Sequence, residues 1–81
     1  MKQLEITMKA HKQISKLDKQ EMRSIYEALQ ALTEWPDIRG VKALQDIPGY
    51  RLRIGRYRAL FQVSGDTITV TEVKIRNERT Y

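Results

Sequence analysis

The chain of 81 residues has no cysteine, one histidine, one tryptophan, one phenylalanine and two prolines. Without cysteine it can build no disulfide framework, zinc knuckle, iron–sulfur site or thiol nucleophile. A single histidine, His11, excludes a His-pair metal site and a two-histidine acid–base couple. The expected cofactor and metal content is none. No apolar run approaches the roughly 18–20 residues of a membrane span, and the N-terminus lacks the apolar stretch of a signal peptide. A cytoplasmic protein with no membrane partner is the expectation. The chain is also short: at this size about 60–65% of the unfolded surface is buried on folding. That allows one domain, residues 1–81, and excludes a multi-domain enzyme or a large cofactor-binding fold. With 31% charged and 41% hydrophobic residues, the composition is that of a soluble globular domain.

What the chain has in excess is positive charge, 15 Lys and Arg against 10 Asp and Glu, or +5. Residues 1–49 carry eight basic and seven acidic side chains, a net of +1; residues 50–81 carry seven and three, a net of +4. The basic type changes as well, from six Lys and two Arg to one Lys and six Arg. Lysines spread over helices are an ordinary solvated face. Arginines gathered in strands present planar forks suited to bidentate contact with phosphate, so an anionic partner is expected at the C-terminal half.

The pattern reads as β-α-α-β-β-β, an α+β fold with a small, mainly antiparallel sheet and two N-terminal helices packed on one face. Gln3 to Thr7 alternates as a short strand. A first helix runs from about Met8 to Leu17, with Ala10, Ile14 and Leu17 on one face. Asp18 caps a second, with Glu21 and the Leu17/Met22 pair at capping-box and staple positions. Met22, Ile25, Tyr26, Leu29 and Leu32 continue it for about four turns, to an end near Trp35 set by Pro36. The stretch from Asp37 to Gly49 has little pattern and reads as a connection. Tyr50, Leu52 and Ile54 alternate with Arg51 and Arg53. Gly55-Arg56 forms a two-residue turn with glycine first, and Tyr57 to Val63 returns. After a second turn at Gly65-Asp66, Thr67 to Ile75 forms a last strand. Its apolar phase shifts from Ile68 and Val70 to Val73 and Ile75, which predicts a bulge near Thr71-Glu72.

The two-residue turn sets the register. Residues 50, 52, 54, 57, 59 and 61 face the helices, and Arg51, Arg53 and Arg58 project from the other side. Arg53 and Arg58 come directly opposite one another, with β-carbons about 4.5–5.5 Å apart, where like charges are destabilising. No acidic residue in either strand relieves them, and Lys74 and Arg76 fall on the same face beyond the phase shift. One reading is a set of solvent-side arginines fanning into water. The other is a phosphate-binding surface, for nucleic acid or for an acidic protein. Arginines beside an aromatic residue suit single-stranded RNA, and Tyr81 follows Arg76 and Arg79. His11 reads as a surface or helix-packing residue, Glu72 and Glu78 as salt-bridging residues, and Trp35-Pro36 as helix-end packing.

The segment Tyr50-Arg51-Leu52-Arg53-Ile54-Gly55-Arg56-Tyr57-Arg58-Ala59-Leu60-Phe61 resembles the "YRLRIGdYRviY" core of the RelE/ParE superfamily of bacterial toxins. Val73 to Tyr81 resembles that family's "VghR…vY" ending, and an arginine followed by a C-terminal tyrosine is a feature of the RelE branch. Length and element order extend the resemblance over nearly the whole chain. It implies the toxin of a type II toxin–antitoxin pair, partnered by a cognate antitoxin. Such a toxin enters the A site of the 70S ribosome, against 16S rRNA, and cuts mRNA without a metal. The ribose 2′-hydroxyl attacks the adjacent phosphate, leaving a 2′,3′-cyclic phosphate and a 5′-hydroxyl.

The family's catalytic set falls on Arg51, Arg53, Arg58, Arg76 and Tyr81. The resemblance implies that Arg58 holds the scissile phosphate and stabilises its transition state. By the same resemblance Arg76 assists the leaving 5′-oxygen, and Tyr81 stacks on a base or orients the 2′-hydroxyl. Arg51 and Arg53 supply positive potential, with Arg56, Lys74 and Arg79 as further RNA-binding charge. Several family members have lysine where this chain has Arg51 and Arg53, and glycine then histidine or lysine where it has Lys74 and Ile75. Arginine titrates above about 12 and is no general base. That leaves Tyr81, solvent or the ribosome in the role, or catalysis with weak base assistance. Two other functions share these features: a ParE-like toxin that inhibits DNA gyrase without nuclease activity, and a basic nucleic-acid-binding module without chemistry.

Overall fold

The computed structural model describes residues 2–45 and 48–75. Strand β1 (Gln3–Ile6) leads into helix α1 (Met8–Ser15), helix α2 (Lys19–Gln30) and a 3-10 turn (Ala31–Glu34). Strands β2 (Val41–Ala43), β3 (Tyr50–Ile54), β4 (Tyr57–Ser64) and β5 (Thr67–Ile75) follow. Both helices begin at side-chain caps. Thr7 Oγ1 accepts from the Ala10 amide at 3.2 Å, and Asp18 Oδ1 accepts from the Glu21 amide at 2.8 Å. The α-helix expected to reach Trp35 ends at Gln30. Its last turn tightens to 3-10 geometry, with Thr33 Oγ1 bonded to the Gln30 carbonyl at 2.8 Å. Tightening of this kind satisfies terminal carbonyls at a helix end, here before a proline that cannot continue it.

The sheet has the order β1-β5-β4-β3-β2, with β1 parallel to β5 and every other pair antiparallel. The α+β class, the two helices on one face and the mainly antiparallel sheet are as the pattern predicts. One strand is added: β2 pairs with β3 through Val41–Leu52, Lys42–Arg51 and Ala43–Tyr50, inside the segment read as a connection. A three-residue strand is too short for a period of two to register. Both hairpin turns place glycine first at φ +57°, Gly55 and Gly65, as a II′ turn requires. The bulge falls at the expected place. Leu60 pairs with Glu72 and Phe61 with Val70, so Thr71 is the extra residue and the apolar phase moves by one.

The core lies between the helices and one face of the sheet. Ala10, Ile14, Ile25, Leu29 and Leu32 meet Leu52, Tyr57, Ala59, Phe61, Ile68, Val70 and Val73, all buried. Trp35 packs on Tyr50 and Phe61, with ring centroids 4.7 and 5.7 Å away, the helix-end packing expected of it. His11 bonds through Nδ1 to the Tyr26 hydroxyl at 2.9 Å, joining the two helices. Beyond the end of β1, the edge of β5 is covered by α1: the Val73 amide donates to Gln13 Oε1 at 2.6 Å. Among the described residues, the helices therefore occupy one side of the sheet, and the other is left open.

Candidate nucleic-acid interface

Because successive strand residues point to opposite faces, the alternation that builds the core also builds the open face. Arg51, Arg53 and Arg58 stand there together in the predicted register, Arg53 opposite Arg58 and Leu52 opposite Ala59. Strand β2 adds Lys42 opposite Arg51, and β5 brings Lys74 opposite Arg58. Among the described residues, Gly40, Val41, Lys42, Arg51, Arg53 and Arg58 line a cleft of ≈ 330 Å³ with four cationic side chains and no carboxylate. Its β2 wall is tied to the arginine strand by the Arg53 amide, which donates to the Gly40 carbonyl at 3.0 Å. Arg51 and Arg58 are half-buried, while Arg53 and Lys42 are exposed. A concave site with a fixed cationic lining focuses positive potential on whatever anion enters. Paired forks on adjacent strands suit the oxygens of one phosphate or of two in succession.

Two of the expected RNA-binding cations stand outside this cleft. Arg56 sits at the hairpin turn and reaches toward the helix layer, where its Nη2 donates to Glu21 Oε2 at 3.0 Å. The same carboxylate oxygen accepts from the Tyr57 hydroxyl, and the Arg56 guanidinium carbon lies 5.6 Å from the Tyr57 ring centroid. These bonds, the Tyr57 hydroxyl first and Arg56 second, hold the Glu21 carboxyl below its usual range. They raise Tyr57 and Arg56 above theirs, each chiefly through its bond to Glu21. Lys74 shares the arginine face but is bound to Glu72, 3.5 Å away. Lys9 from α1 meets the same carboxylate at 3.1 Å, so Glu72 is the salt-bridging residue that the pattern predicts. Burial opposes the charge on Glu72, but the Lys9 bond and the nearby Lys74 and Lys9 charges outweigh it and hold its pKa below the ordinary value. A carboxylate so held is poorly matched to the work of a general base near neutral pH.

Arg76, Glu78, Arg79 and Tyr81 lie outside the described residues. Sequence reasoning missed Lys42 and Lys9. Lys42 lies on a strand of three residues, too short for a period to show, and Lys9 meets Glu72 from the first turn of α1, a contact that alternation along a strand does not reveal. Among the described residues no group of His, Asp or Glu is placed to hold a metal, and no helix is long and apolar enough to cross a membrane.

No protein-family model matches the chain, and no curated protein does. The fold does have solved counterparts. The chain is similar to a structure of the toxin–antitoxin complex RelBE2 from Mycobacterium tuberculosis, with a TM-score of 0.80 and 24% identity over 93% of this chain and 98% of that one. It is similar to the intact E. coli RelBE toxin–antitoxin complex, at 0.76 and 25% over 96% and 100%. The YoeB dimer from Staphylococcus aureus also matches, at 0.71 and 19% over 93% and 97%. The architecture is thus that of the toxin chains in these structures. More particularly, the chain has the fold of the RelE/ParE superfamily, as the resemblance of its hairpin implies.

Proposed function

We propose that this protein is the toxin of a type II toxin–antitoxin pair and a ribosome-dependent endoribonuclease that cuts mRNA in the A site. The observation that carries the reading is the cationic cleft formed by Lys42, Arg51, Arg53 and Arg58 on the open face of a RelE-type sheet. In the reaction, the 2′-oxygen of one nucleotide attacks the adjoining phosphorus as the bond to the 5′-oxygen of the next nucleotide breaks. The products are a 2′,3′-cyclic phosphate and a 5′-hydroxyl. Negative charge builds on the phosphoryl oxygens between these events, and fixed cations stabilise it without reorganising; one such donor is typically worth about 10²–10³-fold in rate. Arg58 holds the scissile phosphate, with Arg51 and Arg53 supplying potential beside the nucleophile. By resemblance, Arg76 assists the leaving oxygen and Tyr81 stacks on a base or orients the 2′-hydroxyl. The proton of the 2′-hydroxyl passes to Tyr81, to solvent or to a ribosomal group, with Glu72 occupied by its two lysines, and solvent returns one to the departing 5′-oxygen beside Arg76. A cognate antitoxin neutralises the toxin by covering the cationic face with acidic or amphipathic segments.

Induced expression of Arg58→Ala tests the reading. The variant is expected to stay folded and to lose growth arrest, and full toxicity from it would overturn the proposal. Growth arrest that survives loss of Tyr81, without mRNA cleavage, would point to the gyrase-inhibiting alternative.

A further inference from the structure

The tip of the arginine hairpin is held to the helix layer in an unusual way. Ile54 and Tyr57 close the turn, and Arg53 and Arg58 are the next pair along the strands. Between this tip and the first half of α2 lies a cavity of ≈ 410 Å³, lined among others by Gln20, Ser24, Ile25, Ile54 and Gly55. The pocket opens to solvent beside Ile25 and Tyr57, which are buried, so the outer end of the tip is held here by more than apolar packing. The added contact is polar: a single carboxylate oxygen of Glu21, on α2, receives both the Tyr57 hydroxyl and the Arg56 guanidinium. The Tyr57 side chain is buried, whereas the Arg56 side chain remains 70% exposed. The clamp thus grips the two residues that immediately precede Arg58 in the chain.

We infer that Glu21 and Tyr57 form a positioning clamp that sets where the Arg53–Arg58 pair stands in the cleft, although neither reaches it. This role rests on the nuclease reading above. Its physical basis is that a displacement of about 1 Å at a reacting centre can cost on the order of 100-fold in rate. Binding of a flexible polyanion by summed charge tolerates such a displacement. Loss of the clamp should therefore separate rate from affinity. Glu21→Gln keeps an acceptor oxygen for both donors, Glu21→Ala removes both bonds to the tip, and Tyr57→Phe removes only the hydroxyl's bond while leaving the buried ring and the Arg56 bond in place.

The experiment measures three quantities for the wild type and these three variants: mRNA cleavage on programmed ribosomes at saturating protein, affinity for a single-stranded RNA oligonucleotide, and thermal melting. Tyr57→Phe and Glu21→Ala are expected to lower the cleavage rate by about tenfold or more. RNA affinity should stay within about twofold of the wild type in Tyr57→Phe, whose charges are unchanged, and should be no weaker in Glu21→Ala, which frees Arg56. Glu21→Gln should recover most of the rate. Unchanged cleavage in Tyr57→Phe and Glu21→Ala would overturn the inference. So would a loss of rate matched by equal loss of affinity or by unfolding at the assay temperature. If the wild type itself never cleaves, the nuclease reading fails and this role fails with it, a result distinct from a cleaving wild type with cleaving variants.

Discussion

The two faces of the sheet are built by the same strands, residue by residue, yet they answer to different physics. On one face Leu52, Tyr57, Ala59, Phe61, Ile68, Val70 and Val73 are buried under two helices. On the other, Arg51, Arg53, Arg58 and Lys42 line a cleft with no carboxylate among the described residues of its wall. The first arrangement lowers the free energy of the folded chain by removing apolar surface from water. The second places like charges opposite one another, which opposes folding, and it makes physical sense as a surface for an anion. The difference teaches that residues one position apart can carry stability and function separately, so each can be altered while the other is watched.

The sharpest break in this comparison is Phe61→Ala. Phe61 is fully buried beside Trp35 and Tyr50. Its truncation should cost about 3–5 kcal/mol, a large share of the roughly 5–15 kcal/mol available to a small domain. Denaturant titration measures this loss. Function should fall only in proportion to the fraction unfolded.

Arg58→Ala, on the opposite face, should reverse that balance, lowering cleavage by about 10²-fold or more while the chain remains folded in the same titration. Arg53→Ala should likewise lose function. Removing one member of a like-charged cross-strand pair should leave stability unchanged or raised by up to about 1 kcal/mol.

Smaller effects sharpen the boundary of the cationic face. Lys42→Ala should weaken binding to single-stranded RNA and reduce the slope of log affinity against log salt by about 0.7, the loss of one phosphate contact. Glu72→Gln should do the opposite, because it releases Lys9 and Lys74 to the same face. A higher affinity with a steeper salt slope is expected, and lower affinity would show that Glu72 organises the site rather than dividing it.

Acid should act through the two paired carboxylates. Glu21 and Glu72 both have folded-state pKa values below the ordinary one. Their contribution to stability is therefore complete above the unfolded value of about 4.3 and disappears as pH falls through the folded value. Urea midpoints measured from pH 6 downward, for a pH scale fixed about these values, should fall less steeply in Glu21→Gln and Glu72→Gln than in the wild type.

Much of this was legible in the sequence, for identifiable reasons. The hairpin register followed from one glycine-first turn and a strict alternation from Tyr50 to Val63. The bulge followed from the change of apolar phase around Thr71. Periodicity located both helices, and the Asp18 cap located the start of the second, while the Thr7 cap of the first went unread. What escaped was non-local. Strand β2 is too short to have a period, so the fourth cation of the cleft, Lys42, went unseen. Arg56 follows the arginine pattern in sequence but turns toward Glu21, 35 residues earlier in the chain. Lys74 keeps its predicted face, while the carboxylate two residues before it takes up its charge. Alternation tells which way a strand residue points; it does not say which distant side chain waits there.

The most direct test of the central claim is primer extension on a defined mRNA, with the protein added in parallel to programmed 70S ribosomes and to naked RNA. New 5′ ends within A-site codons, present only with ribosomes and absent with Arg58→Ala, are the predicted result. Protein that arrests growth yet leaves the mRNA intact in both reactions would contradict it.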